Sequence, residues 1–326
     1  MRTRPPRKSS SRLALATTGA AALAVTMALV LPQSAGAAET SPVGFGAGTT
    51  GGGSSTAVTV TTLDAFRIAV TGNSAKVVKV NGLISLSGQV DIGSNTTVLG
   101  VGSASGFTGG GLRLKKVTNV VVRNLNISKP VAPADGITVQ ASTKVWIDHN
   151  AFSSDRDHDK DYYDGLLDIT HGSDYVTVSW NTFKDHYKGS LVGHSDSNSS
   201  EDTGHLRVTY HHNWFNNVNS RIPSLRFGTG HFYDNYVVGA DTAVHSRMGA
   251  QMLVENNVFR STAVAVTTSR DSDVDGYANL TGNDLGGATT EISQVGTFTK
   301  PSYSYTAESA STVVASVTSG AGSGKL

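Results

Sequence analysis

Between residues 145 and 259 the chain repeats one short pattern five times: a β-branched or aromatic run, an Asn, and an apolar residue two positions later. The copies are Val145-Trp-Ile-Asp-His-Asn150-Ala-Phe152, Val176-Thr-Val-Ser-Trp-Asn181-Thr-Phe183, Val208-Thr-Tyr-His-His-Asn213-Trp-Phe215, Phe232-Tyr-Asp-Asn235-Tyr-Val237 and Leu253-Val-Glu-Asn-Asn257-Val-Phe259. Successive asparagines stand 31, 32, 22 and 22 residues apart. A unit this short cannot bury an apolar face alone and does so by stacking on its neighbours. Residues 120–127 form a looser upstream copy.

A 22-residue step built on short strands predicts an all-β fold, a right-handed parallel β-helix (a solenoid). The two longer steps then carry insertions of nine and ten residues. Stacked strands lie about 4.8 Å apart, so equivalent asparagines form a ladder. An amide both donates and accepts, and Asn suits the turn between strands. Leu63-Asp-Ala-Phe-Arg-Ile-Ala-Val70 has helical spacing and is expected to cap the N-terminal end, where unpaired strand edges would otherwise be exposed. The Ser-, Thr-, Ala- and Gly-rich tail from about Phe298 is expected in external segments. Residues 38–326 read as a single solenoid domain.

Residues 1–37 read as an export signal. Arg2, Arg4, Arg7, Lys8 and Arg12 precede an apolar run from Leu13 to Leu31, and Ala35-Gly36-Ala37 offers a small-residue cleavage site. Cleavage leaves 21 basic against 25 acidic residues, a net charge of −4. That balance argues against a nucleic-acid partner, and no later segment has the length and apolarity of a membrane span. The expected product is a secreted monomer with no membrane association. With no Cys in the chain, thiol chemistry and disulfides are excluded.

Three motifs mislead. Gly46-Ala-Gly48-Thr-Thr-Gly51 matches a dinucleotide pattern but opens no helix. Gly320-Ala-Gly-Ser-Gly-Lys325 lacks the first Gly and the final Ser or Thr of a phosphate loop. Asp155-Arg-Asp157-His-Asp159-Lys-Asp161 starts like a calcium loop but has Lys160 and Leu166 where Gly and Glu are required; it reads as a solvated acidic loop.

Asp135, in Ala134-Asp-Gly-Ile137, and Asp164-Gly-Leu-Leu-Asp168 carry the chemistry. Asp164 and Asp168 bracket a short strand, and Asp135 lies about one coil earlier, so three carboxylates can converge. Carboxylates that close repel unless a hard divalent cation joins them; ordinary turn aspartates are the alternative. One coil further on come Lys188 and Arg221-Ile-Pro-Ser-Leu-Arg226, whose Pro marks a bend rather than a strand interior. Basic groups beside such a cluster suit a polyanion, although simple ion pairing is the competing explanation.

These motifs together resemble polysaccharide lyase family 1, the pectate lyases. The resemblance rests on Gly48-Thr-Thr-Gly51, Val145-Trp-Ile-Asp-His149, Asp164-Gly-Leu-Leu-Asp168, Val176-Thr-Val-Ser-Trp-Asn181, Tyr210-His-His-Asn213 and Arg221-Ile-Pro-Ser-Leu-Arg226, which stand in the family's order. It implies that Asp135, Asp164 and Asp168 bind Ca²⁺, that Arg221 is the catalytic base, and that Lys188 and Arg226 contact the substrate carboxylate. Some members add a metal-binding aspartate where this chain has Pro133. The resemblance makes Asp148 a structural neighbour of the site, and His194 and Arg247 are further candidates for the sugar groove. The implied activity is β-elimination of de-esterified polygalacturonate to 4,5-unsaturated oligogalacturonides. Since a free guanidinium holds its proton to about pH 12.5, an arginine base implies an alkaline optimum. A polygalacturonase-type hydrolase, using two carboxylates without metal, and a non-catalytic polysaccharide-binding solenoid remain the alternatives.

Overall fold

In the computed structural model the described residues are 1–3, 5 and 38–326, so most of the predicted export segment 1–37 lies outside the described residues. The fold described is that of the unit Ala35–Leu326. Each coil contributes up to three short strands, and each strand pairs in parallel with its equivalents one coil before and after. The first row is a sheet of ten strands, from Ala57–Val60 to Tyr277–Thr281. The second and third rows are joined near the N-terminal end by the long strands Leu83–Asp91 and Gly106–Lys115. The solenoid expected from the repeat is therefore the architecture observed.

The asparagines mark the turn from the first row to the second. Nδ2 of each donates to Oδ1 of the next, from Asn150 to Asn181 (3.0 Å), Asn213 (3.0 Å), Asn235 (2.9 Å) and Asn257 (3.0 Å). The ladder continues to Asn283 at 2.9 Å, one rung beyond the repeated pattern. Each Oδ1 also accepts the backbone N–H of the preceding Asn, at 2.8–3.0 Å. A second Nδ2 bond reaches a strand carbonyl, as from Asn213 to Val178. These five asparagines are fully buried yet satisfied, which is what an interior amide requires. The residue before each rung takes a left-handed φ, from 51° to 55° at His149, Trp180, His212, Asp234 and Asn256.

Two residues past the ladder, Phe152, Phe183 and Phe215 stack with ring centroids 4.8 and 4.6 Å apart and planes within 7°. The rings thus follow the strand spacing and fill the interior. At the N-terminal end the helix Leu63–Val70 forms as expected; Thr62 caps it by accepting from Ala65 N–H, and Phe66 and Val70 are buried. Phe66 meets Phe107 at 4.7 Å between ring centroids. The C-terminal tail forms the helix Ala310–Gly320, which packs Val313 and Val317 against Trp180, Trp214 and Tyr236 outside the coils. Beyond it, Ser323 reaches back to Asn126 and Gly324 to Asn124. The glycine pattern near the start crosses the outer face of the first row, where Gly46 N–H donates to Thr177 Oγ1 (3.0 Å). A Cβ on Gly46 would stand 2.9 Å from Thr177 N, so close approach explains that glycine and not a dinucleotide.

The first insertion leads into the third-row strand Leu167–Thr170, and the second leaves the next third-row strand, Leu191–Val192. The first, about residues 154–166, links the second row to the third; the second, about 193–206, links the third row to the first and holds the short helix Ser199–Asp202. Among the described residues no helix is long and apolar enough to cross a membrane.

A ladder of buried amides fails locally when a rung is removed. Asn213→Ala strands the donors of Asn181 and the acceptor system around Asn235, so it is expected to lower unfolding stability by about 3 kcal/mol. The partly exposed terminal rung Asn283→Ala is expected to cost less than half of that. Chemical denaturation of the two variants checks the ranking, and an Asn213→Ala protein as stable as the parent would remove the ladder from the account.

Candidate active site

The site forms at the turn from the second row to the third. Asp135 precedes the strand Ile137–Gln140, and Asp164 precedes Leu167–Thr170. Asp168 lies within the latter strand, so the two acidic residues do not bracket it as the sequence spacing suggested. Parallel register places Asp168 beside Thr138. The Thr138 hydroxyl donates to Asp135 Oδ2 at 2.6 Å, drawing that carboxylate along the third row.

Gly165 is the pivot of the cluster. Its N–H donates to Asp135 Oδ1 and to Asp164 Oδ1, both at 3.0 Å. A Cβ at this position would meet Asp168 Oδ1 at 2.5 Å and Asp135 Oδ1 at 3.0 Å. Two carboxylates, those of Asp135 and Asp168, therefore share the space that a side chain would fill, while Asp164 bonds the N–H of the same residue. Asp168 Oδ1 takes a further bond from Leu191 N–H (3.1 Å). Sequence spacing brought the aspartates together but not Gly165, whose role is visible only once all three converge.

Crowding and burial show in the acidities. Burial, with the charges of Asp168 and then Asp164 behind it, pushes the Asp135 carboxyl up to about 8. Burial also raises Asp168, to about 6, against the opposing influence of Arg221, the Leu191 N–H and Lys188. Burial pushes His186 down to about 4; it is neutral and bonds the Asp164 carbonyl oxygen through Nε2 (2.6 Å), fixing the loop that carries Asp164. No pattern in the sequence pointed to His186.

Among the described residues no three acidic or His side chains form a preformed metal cage. The aspartates instead form an open, all-oxygen set in which Lys188 pairs with Asp164 while, among the described residues, Asp135 and Asp168 have no ion pair. That chemistry fits a hard divalent cation whose remaining ligands come from water or substrate.

Two of the three expected basic residues reach this cluster. Lys188 lies between Asp161 (3.2 Å) and Asp164 (3.3 Å). Arg221 follows the strand Trp214–Ser220, and its charge is felt at Asp168. Among the described residues its guanidinium has neither an ion pair nor a hydrogen bond. Arg226 is set apart: it pairs with Asp196 and donates to Gly193 O (2.7 Å), both from the second insertion. Pro223 stands just before the strand Ser224–Arg226, at the expected bend.

The remaining candidates separate. Arg247 pairs in register with Arg226 and lies 3.8 Å from Asp196, whereas His194 stacks on His171 at 4.0 Å. Asp148 belongs to the first row, where it is buried against Arg123, His149 and Ser179, away from the carboxylate cluster. Nor is the loop 155–161 simply solvated. Asp155 bonds His158 (2.7 Å) and Tyr163 (3.0 Å), while Asp161 holds Lys188.

A sequence profile described as pectate lyase matches residues 14–326. This chain belongs to the pectate lyase family. It is 51% identical over 283 residues to pectate lyase B of Colletotrichum gloeosporioides, covering 86% of this chain and 85% of that protein. It is 49% identical to pectate lyase A of Aspergillus niger over 277 residues, 84% of each chain. Among solved structures, a Bacillus sp. N165 pectate lyase in complex with trigalacturonate superposes with a TM-score of 0.80 at 34% identity, over 87% of this chain and 99% of that one. The pectate lyase assignment makes the protein a polysaccharide lyase and sets aside both the hydrolase and the non-catalytic solenoid.

Gly165→Ala tests the pivot without touching a charged group. The added methyl has to displace the Asp168 carboxylate, so divalent-cation affinity measured by calorimetry is expected to fall about tenfold or more while far-ultraviolet circular dichroism is unchanged. Unchanged affinity would mean that the three aspartates do not act on one ion.

Proposed function

We propose that the protein is a secreted, calcium-dependent pectate lyase that cleaves de-esterified polygalacturonate by β-elimination. The supporting observation is the juxtaposition of a crowded carboxylate trio with Arg221, a guanidinium lacking a partner among the described residues. Export is supported by the composition of residues 1–37, and monomeric action by the convergence of every proposed group within one chain.

Asp135, Asp164 and Asp168 would hold Ca²⁺. Bound there, Ca²⁺ would withdraw charge from a uronate carboxylate and acidify the neighbouring C5 proton. Lys188 exchanges Asp161 for the carboxylate of the reacting uronate and stabilises the enolate-like charge that develops, whereas Arg226, set apart from the cluster, exchanges Asp196 for a carboxylate further along the bound chain. Arg221, in the neutral guanidine form that an alkaline medium favours, accepts the C5 proton and returns it to solvent after the product leaves. The released electron pair forms the C4–C5 double bond as the C4–oxygen bond breaks, and the departing oxygen takes a proton from solvent. Water is not added across the cleaved bond.

The product's conjugated double bond gives ultraviolet absorbance, whereas hydrolysis would yield only reducing ends. Chelator is expected to abolish turnover and added calcium to restore it. Arg221→Lys is expected to lower kcat at least about hundredfold with KM within about threefold, because the interaction lost is one made in the transition state. Full turnover by Arg221→Ala would refute the role given to this residue.

A further inference from the structure

Within the acidic run 155–161, the carboxylates of Asp155 and Asp161 are taken up by His158, Tyr163 and Lys188. Arg156 does something different. Its guanidinium leaves the insertion and reaches the strand Trp214–Ser220, where Nη1 donates to Asn217 Oδ1 at 2.8 Å and Nη2 to Asn219 Oδ1 at 3.3 Å. The strand Thr182–Lys188 lies between, and there the guanidinium sits over the ring of Tyr187, 4.7 Å from its centroid. The Tyr187 hydroxyl returns a hydrogen bond to Arg156 O at 3.2 Å. One residue thus spans two steps of the stack, about 10 Å.

The residues it touches stand next to the reacting groups. Tyr187 precedes Lys188, and Asn219 lies two positions before Arg221. Both strands are held in place: Ser220 Oγ donates to Tyr187 O at 3.1 Å, and Lys188 pairs in register with Ser220. Asn217 Nδ2 donates to Asp185 Oδ1 at 2.8 Å, which turns its Oδ1 toward Arg156.

Other contacts of the insertion do not make this connection. Asp155 with Lys129, Asp164 N–H with Pro130 O and Tyr162 O with Ala132 N–H tie it to the coil before. His186 and Lys188 tie it to the coil after. Among the described residues, Arg156 alone in the insertion hydrogen-bonds to the strand that leads into Arg221. Its three partners are neutral, and among the described residues it has no ion pair. A planar fork can meet two amides and an aromatic face together, which a point-like ammonium cannot. What the side chain supplies is geometry.

We propose that Arg156 is a positioning residue that braces the insertion carrying Asp161 and Asp164 against the strands leading to Lys188 and Arg221. It thereby sets the spacing between the cation site and the basic groups, acting through Tyr187 and Asn219. The inference rests on the cation and lyase reading of that site and deepens it.

The test compares the parent with Arg156→Ala and Arg156→Lys in three measurements: calcium calorimetry, hydrogen exchange of the metal-free protein over residues 157–164, and kcat/KM on de-esterified polygalacturonate at saturating calcium. Far-ultraviolet circular dichroism is expected to be unchanged, because Arg156 lies outside the coils. Both variants are expected to bind calcium about tenfold more weakly and to exchange faster over 157–164. Both are also expected to lose about tenfold or more in kcat/KM, since Lys keeps the charge without the fork. Asn219→Ala is expected to reproduce part of the loss in kcat/KM and to add nothing to Arg156→Ala. A Lys variant equal to the parent in kcat/KM would make charge the contribution and overturn the proposal. So would an Ala variant equal to the parent in calcium affinity and exchange. A parent protein that binds no calcium would instead sink the cation reading beneath it.

Discussion

Register between parallel coils is the constraint on which the rest of the structure depends. Strands only a few residues long have little to fix their alignment, and a one-residue slip would turn every inward side chain outward. The Asn150–Asn283 ladder supplies the alignment by tying each turn to the next through buried amides. Because the ladder sits at one corner, it sets the phase of the other rows as well. Asp168 consequently falls beside Thr138, and the Asp135 and Asp168 carboxylates meet over Gly165.

Rigidity at that corner permits electrostatic crowding at another. Burial raises the cost of ionising Asp135 and Asp168, and the neighbouring carboxylates add to it. Lys188 relieves it in part through Asp164, but is itself shared with Asp161. Arg226 is likewise shared with Asp196. Both basic groups thus come from the solenoid while their partners come from the two insertions. The insertions neutralise charge that the coil positions alone would leave exposed, and a bound anion can take over those partners.

Much of this was legible in the sequence because the solenoid makes distant residues equivalent. The ladder from Asn150 to Asn257, the helix Leu63–Val70 and the external C-terminal segment all follow from period and composition. Asn283 escaped notice because Tyr277-Ala-Asn-Leu-Thr-Gly lacks the β-branched run that precedes the other rungs, although Leu285 does stand two positions after it. The three aspartates were visible as a column, and so were Lys188 and Arg221. What spacing could not give were contacts made by the insertions, whose paths obey no period: Asp161 on Lys188, Asp196 on Arg226, and His186 under Asp164. The place of Asp168 inside its strand was misjudged for a related reason, since strand ends depend on pairing with the next coil.

The most direct test of the central claim is anomalous diffraction from crystals of the metal-free protein soaked in a lanthanide, a hard oxygen-seeking cation used as a calcium substitute. A principal peak within coordinating distance of the Asp135, Asp164 and Asp168 carboxylates, beside Arg221, is the predicted result. Binding confined to the acidic loop 155–161, or no site shared by those three side chains, would contradict it.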